Sequence, residues 1–198
     1  MSHELLSLRQ VREEDRWVLW GWRNSERIRR VSTNDADIPR ASHDAWFSRQ
    51  FPTMHDRTII VQWKGEPVGW YQIEKWDAAS RSGEWGIALG EPNVAIGLGG
   101  MLPILALSHA FERIDAQKMT GRVLEINTNV LSIMRRLKIP NLGLDEVVAL
   151  REDGSCARSH IFEAEQAQWN EILEAGRALV PSTLRESIDH VRASEIPQ

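Results

Sequence analysis

Residues 5–11 alternate apolar and polar side chains, a period of two that predicts a strand. Arg12, Glu13, Glu14 and Asp15 then place acidic groups in the first turn of a helix carrying Trp17, Val18 and Leu19. Trp22-Arg23-Asn24-Ser25 interrupts that helix, and Ser25 is expected to cap a short second one ending at Arg30. Residues 31–40 are polar and contain Pro39, a loop pattern, after which Ser42 is expected to cap a helix bearing His43, Trp46 and Phe47. Two β-rich runs, 58–63 and 67–74, flank Lys64-Gly65-Glu66 as in a hairpin. The small-residue turn 78–83 precedes an apolar strand at 85–89. An apolar helix is expected at about 101–113, a strand at 120–124, and a helix headed by Asn127. A second hairpin spans 146–151 and 157–163 around Glu152-Asp153-Gly154-Ser155. Residues 164–198 are charged and helix-prone, with Trp169, Ile172 and Leu173 on one stripe and Pro181 dividing two pieces.

The sum is a mixed α+β architecture, a mostly antiparallel central sheet with helices on both faces and a parallel strand pair joined by the 101–113 helix. One domain is expected over residues 1–163, with 164–198 as a helical C-terminal extension packed on the same domain. A formal charge of −4 and a pI near 5.9 argue against a nucleic-acid partner and leave small anionic ligands open. The single cysteine, Cys156, excludes an internal disulfide, and its neighbours lack metal-ligand spacing, so no metal is expected. The opening Met-Ser-His-Glu lacks a signal-peptide pattern, and residues 101–111 are too short and too interrupted by Pro103 and His109 to span a bilayer. A cytoplasmic protein with no membrane partner is the expectation. Nine tryptophans against one tyrosine are expected mostly in the core, with a few lining a ligand cleft.

The densest chemistry lies in Ile96-Gly97-Leu98-Gly99-Gly100. Its glycines permit positive φ and close approach of a ligand, and Pro103 suggests a helix start between about residues 100 and 102. Turn amides and the positive helix end then coincide, which favours a phosphate or pyrophosphate. The turn lacks the Lys and Ser/Thr of a P-loop, and Leu102 stands where a dinucleotide fingerprint needs its third glycine.

This strand–turn–helix–strand order resembles the GNAT superfamily of acetyl-CoA-dependent N-acyltransferases over residues 5–163. The family's Gln/Arg-x-x-Gly-x-Gly/Ala turn is matched at residues 94–99, with Val94 at the usual polar place. The resemblance implies acetyl-CoA or another short acyl-CoA as co-substrate. It places Ile87 and Leu89 against the pantetheine and thioester, and Ile96, Gly97, Leu98, Gly99, Gly100 and Met101 at the pyrophosphate. Asn127 and Met134 complete the donor side. Leu8-Arg9, Glu14-Asp15, Trp22-Arg23-Asn24 and His43-x-x-Trp46-Phe47 resemble, more narrowly, the PseH-type branch that acetylates nucleotide-linked amino sugars. That implies Arg23, Asn24, His43, Trp46 and Phe47 on the acceptor and a nucleotide-linked amino sugar as partner; a homodimer is also allowed.

The mechanism implied is direct attack of the acceptor amine on the thioester, with amides near Ile87 as an oxyanion hole, Asn127 nearby, and Glu84 as proton acceptor through water. One position departs from the family. Its usual tyrosine, proposed to protonate the leaving thiolate, is Met134, which carries no acidic proton. A peptide N-terminal acetyltransferase of the ribosomal-protein type and a non-catalytic acyl-CoA-binding module stay open. His109 and His160 are weighed as site residues and, mid-helix and on a hairpin, carry no assigned role.

Overall fold

The computed structural model describes residues 5–197; residues 1–4, which carry the signal-peptide expectation, and residue 198 lie outside the described residues. The elements run β1 (Leu6–Gln10), α1 (Arg16–Asn24), α2 (Glu26–Arg29), α3 (Arg40–Gln50), β2 (Thr58–Trp63), β3 (Glu66–Asp77), β4 (Ser82–Leu89), α4 (Leu98–Ser108), β5 (Lys118–Leu124), α5 (Thr128–Arg136), β6 (Asn141–Leu150), β7 (Cys156–Glu165), α6 (Trp169–Leu179) and α7 (Ser182–Ala193). Seven strands form one sheet in the order β1-β2-β3-β4-β5-β7-β6. All neighbours are antiparallel except β4 and β5.

The parallel seam is short. Ser82, Gly83 and Glu84 pair with Lys118, Met119 and Thr120, and the strands then part. The cause is the first residue beyond the last pair: the indole of Trp85 lies against Gly121, where any Cβ would overlap the ring. Trp85 is buried in the main core, so the ring fills the opening angle between the strands.

Strand alternation sorts the two sides of the sheet. Tyr71, Ile73 and Trp85 pack with α4, α5, α6 and α7 in the larger core, whereas Trp70 packs with Leu19, Trp22, Ile28 and Phe47 beneath α1–α3. On the second side Trp22 stacks on Trp70 with centroids 5.6 Å apart. The entry to α1 is fixed by a buried pair, Arg9 to Asp15, through two hydrogen bonds of 2.6 and 2.7 Å; Asp15 also accepts from Arg12 N–H at 2.7 Å. Asp15 is thus an ion-pair residue more than a partner of the helix dipole. The β2–β3 hairpin turns through Lys64 and Gly65, both at positive φ (55° and 83°), as its twist requires.

Several boundaries differ from the sequence pattern. α1 continues through Asn24, and Ser25 hydrogen-bonds back to the Trp22 carbonyl instead of capping α2. α3 begins at Arg40 with Pro39 before it, ahead of Ser42. α4 begins at Leu98, with Gly97 left-handed (φ 96°) at its N-cap, so Pro103 lies inside the helix. Proline there forfeits the hydrogen bond to the Gly99 carbonyl, which its ring also crowds. The helix continues as a π turn over His109–Arg113. Asn127 caps α5 as expected, its side chain accepting from Val130 N–H at 3.3 Å.

The C-terminal extension completes this domain's own core. Trp169, Ile172, Leu173, Leu184 and Ile188 are buried in the main cluster, and Trp169 Nε1 donates to Glu112 at 2.7 Å. The link between α6 and α7 presses on the glycine turn: a Cβ at Gly97 would meet Pro181 Cδ at 2.5 Å, and one at Gly100 would meet Leu179 Cδ2 at 3.4 Å. No helix among the described residues is long and apolar enough to cross a membrane.

Candidate active site

Backbone direction in β4 follows from one hydrogen bond. Ile73 N–H donates to the Arg57 carbonyl at 2.7 Å, so Ile73 faces β2 and its neighbours Gln72 and Glu74 direct main-chain groups to β4. Their partners Gly86 and Glu84 are thereby satisfied, as is Ala88 opposite Trp70. Trp85, Ile87 and Leu89 consequently aim N–H and C=O toward β5, and from Trp85 onward β5 has moved away. Arg27 takes the Leu89 carbonyl at 2.8 Å, and the parted strands leave the N–H and C=O of Ile87 and the N–H of Leu89 facing an open slot, which an extended ligand with amide groups can enter as a substitute strand.

A cavity of about 920 Å³ runs through this slot. On the α4–α5 side its wall includes Gly99, Leu102, Asn127, Val130 and Met134. On the α1–α3 side it includes Arg23, His43, Trp46, Trp70, Gln72 and Glu74. The two sides of the sheet are joined through the splay by Ile87, Ala88 and Leu89. Loop 31–35 bounds the second side and is tied across it: Arg151 from the end of β6 donates to the carbonyls of Ser32 and Arg30 at 2.6 and 2.7 Å and pairs with Asp35 at 3.2 Å.

The glycines divide their work. Gly97 is required by its positive φ and by Pro181, and Gly100 packs on Leu179. Gly99 alone of the three lines the cavity, with Leu89 Cδ2 the nearest atom to a notional Cβ at 3.7 Å. The turn closes through Leu98 N–H to Ala95 and Gly100 N–H to Gly97; the N–H groups of Gly97 and Gly99 make no main-chain bond among the described residues. Two undonated amides at a helix N-terminus fit a pyrophosphate.

The acetyltransferase (GNAT) domain model matches residues 6–139. The chain belongs to the GNAT acetyltransferase family. As a GNAT enzyme it is an acyl-CoA-dependent N-acyltransferase using acetyl-CoA. Solved structures share the fold. Spermidine N-acetyltransferase from Vibrio cholerae, in complex with CoA and spermine, superposes at TM-score 0.73 with 16% identity, covering 84% of this chain and 99% of that one. The YncA structure from Salmonella typhimurium with its cofactor acetyl-CoA gives 0.65 and 14%, covering 82% and 94%. Ribosomal-protein-alanine N-acetyltransferase from Brucella melitensis gives 0.65 and 14%, covering 80% and 98%. No curated protein matches the sequence.

Within this GNAT domain the sequence-derived residues separate. Ile87, Leu89, Gly99, Asn127 and Met134 meet in the cavity, as do Arg23, His43 and Trp46. Leu98 and Met101 are fully buried core side chains, leaving only their main chain for a ligand, and Ile96 projects to solvent with 90% exposure. Two acceptor residues need correction. Asn24 spends its amide on Ile38, accepting from its N–H at 2.8 Å and donating to its C=O at 3.0 Å. Phe47 is fully buried beneath the site, stacked on Phe51. His43 is also largely buried, its Nε2 bonded to the Arg16 carbonyl at 2.7 Å, and desolvation lowers its pKa.

Glu84 requires a third correction. It is absent from the cavity wall, and its carboxylate is held by Arg122 at 2.6 Å and Lys75 at 3.1 Å. Burial alone would raise its pKa, but these two cations leave it lowered, which makes it a poor proton acceptor. The residue missed is Glu74, one strand over; only the β3 register reveals it.

Neither spare histidine enters the chemistry. His109 lies in the core with its Nδ1 3.0 Å from Tyr71 Oη, and burial lowers its pKa to about 4. Tyr71 is itself fully buried, and desolvation raises its pKa. The chain's one tyrosine is therefore locked in the core against His109, absent from the cavity wall, and cannot replace the hydroxyl missing at Met134. His160 pairs with Asn141 at 3.1 Å on the outer hairpin.

Proposed function

We propose that this N-acyltransferase delivers the acyl group of acetyl-CoA to the amine of a nucleotide-linked amino sugar bound on the α1–α3 side of the sheet. Arg23 carries the reading. Its guanidinium lines the cavity, donates to Ser32 Oγ at 2.6 Å, and among the described residues has no carboxylate within ion-pair distance. Burial lowers its pKa, a sign that its charge is poorly solvated and would gain from an anionic ligand. Half-buried Trp46 lines the same cavity and offers an indole on which a base or sugar ring can stack.

In this reading acetyl-CoA enters from the α4–α5 side, with its pyrophosphate at Gly97–Gly99 and its pantetheine along Ile87 and Leu89. The Ile87 N–H polarises the thioester carbonyl, and Asn127 braces the donor at the start of α5. Met134, fully buried at the acyl end, shapes the tunnel without supplying a proton.

A peptide N-terminus is the second reading, raised by the fold shared with the Brucella enzyme. A polyamine, as in the Vibrio neighbour's complex, fits less well because Arg23, Arg27 and Arg30 all line the acceptor side. Arg23→Ala is expected to weaken binding of a UDP-linked amino sugar by about 10- to 100-fold, the worth of a charge-assisted contact, and to leave CoA binding within about twofold. Titration calorimetry with each ligand measures both. Equal loss of both would sink this role for Arg23.

A further inference from the structure

Glu74 shares one face of β3 with Trp70 and Gln72, and it lines both the main cavity and an adjoining one of about 320 Å³. Its Oε1 accepts from Gln72 Nε2 at 2.8 Å, and among the described residues no cation lies within ion-pair distance. The Gln72 side chain in turn lies over Gly86, where a Cβ would come within 3.2 Å of it. Gly86 immediately precedes Ile87, so the Gln72–Glu74 pair spans from the oxyanion amide to the acceptor side. Arg23 faces the same space. Both side chains line the one cavity and are not in ion-pair contact, so the acceptor site holds a positive and a negative group with a gap between them.

We propose that Glu74 binds the acceptor's ammonium group and takes its proton, while Arg23 holds the acceptor's anion across the gap. This rests on the acceptor amine entering this cavity, as proposed above, and not on the identity of the sugar. Glu74 carboxylate accepts one proton from R–NH3+, directly or through a water. The freed nitrogen lone pair forms the C–N bond to the acetyl carbon as the C–S bond breaks and its electron pair leaves on sulfur. The second proton lost from nitrogen neutralises the thiolate, giving CoA thiol and amide, and Glu74 returns its proton to solvent. No tyrosine is needed, which accommodates Met134.

The surroundings suit a base. Burial is the largest influence on Glu74 and raises its pKa; Glu84, directly opposite on β4, raises it further, against opposing pulls from Lys75 and Arg23. Arg57 on the adjoining cavity wall, and Arg27, Arg30, His43 and Arg122 on the main one, are further charged or titratable groups around it. A carboxylate must be ionised to accept a proton. The acidic limb of the rate profile is therefore expected above the ordinary glutamate range, with activity falling as pH drops through it.

The test is kcat and kcat/KM from pH 5 to 10 for wild type, Glu74→Gln and Glu84→Gln. The donor is acetyl-CoA; the acceptors are a UDP-linked 4-amino sugar and, in parallel, a peptide with a free N-terminus. Glu74→Gln is expected to lower kcat by about 100-fold or more near pH 7, the usual worth of a general base. The loss should shrink toward pH 10, where the amine deprotonates in solution, and acetyl-CoA binding should persist, which reports intact folding. Glu84→Gln should retain more than a tenth of the rate. This pattern with the peptide alone would keep Glu74 and refute the sugar reading. A pH-independent loss, or none, in a variant that still binds acetyl-CoA would overturn the role of Glu74. Wild-type turnover of neither acceptor would overturn both.

Discussion

Trp85→Ala is expected to cost about 3–5 kcal/mol of folding stability, the range for deleting a buried aromatic side chain. The indole is 6% exposed, faces the main core and lies over Gly121 where β4 and β5 part. Removing it takes away the wedge as well as the buried area, so the strands are free to approach and narrow the slot that Ile87 and Leu89 face. Loss of acetyl-CoA affinity by at least tenfold should accompany the loss of stability, while Trp85→Phe, which retains an aromatic wedge, should recover most of both. Urea denaturation with calorimetry on the same samples checks this. A loss below about 1 kcal/mol, the scale of a tolerated core exchange, would show that the splay is set elsewhere.

Asp15→Ala is the second large effect, expected to cost about 3–5 kcal/mol because it strands a buried guanidinium. Arg9 and Asp15 are 6% and 2% exposed. The Arg9 pKa is raised chiefly by its hydrogen bond to Asp15, against the opposing effect of burial. The loss should far exceed that of Asp44→Ala, because the Asp44 side chain is 51% exposed and its partner Arg16 keeps a second carboxylate in Glu13. The double change Arg9→Met/Asp15→Leu, which removes both charges, should restore much of the stability of Asp15→Ala. Chemical denaturation of the four proteins decides it; a double variant as unstable as the single one would show that the pair's geometry, not stranded charge, sets the cost.

The sequence pattern located most elements because its signals were local. Lys64-Gly65 announced a hairpin, Asn127 a helix cap, and Pro181 a break between helices, each requiring only neighbouring residues. Errors arose where distant residues decide. Any of three glycines could have ended the turn, and Gly97 is chosen in part by Pro181, more than eighty positions away. Pro103 suggested a later helix start because the missing bond to Gly99 is invisible without knowing where α4 begins.

Which residues share the α1–α3 wall of the cavity was legible in outline and wrong in detail for the same reason. His43, Trp46 and Phe47 recur at helical spacing, so sequence alone gives them one face; the core beneath α3 takes Phe47 and leaves Trp46 to the cavity. Glu84 and Glu74 are equivalent as sequence, two glutamates on neighbouring strands. Arg122, from a third strand, neutralises one and leaves the other to the cavity.

In the proposed reaction, donor and acceptor meet in one cavity through the splayed strands, with the acceptor's anion on the α1–α3 side. Its most direct test is initial-rate thiol release, varying acetyl-CoA against a UDP-linked 4-amino sugar and repeating with the same amino sugar lacking the nucleotide. Intersecting double-reciprocal lines, with kcat/KM at least tenfold lower for the sugar without nucleotide, are the expected result. Parallel lines, or equal turnover of the two sugars, would contradict it.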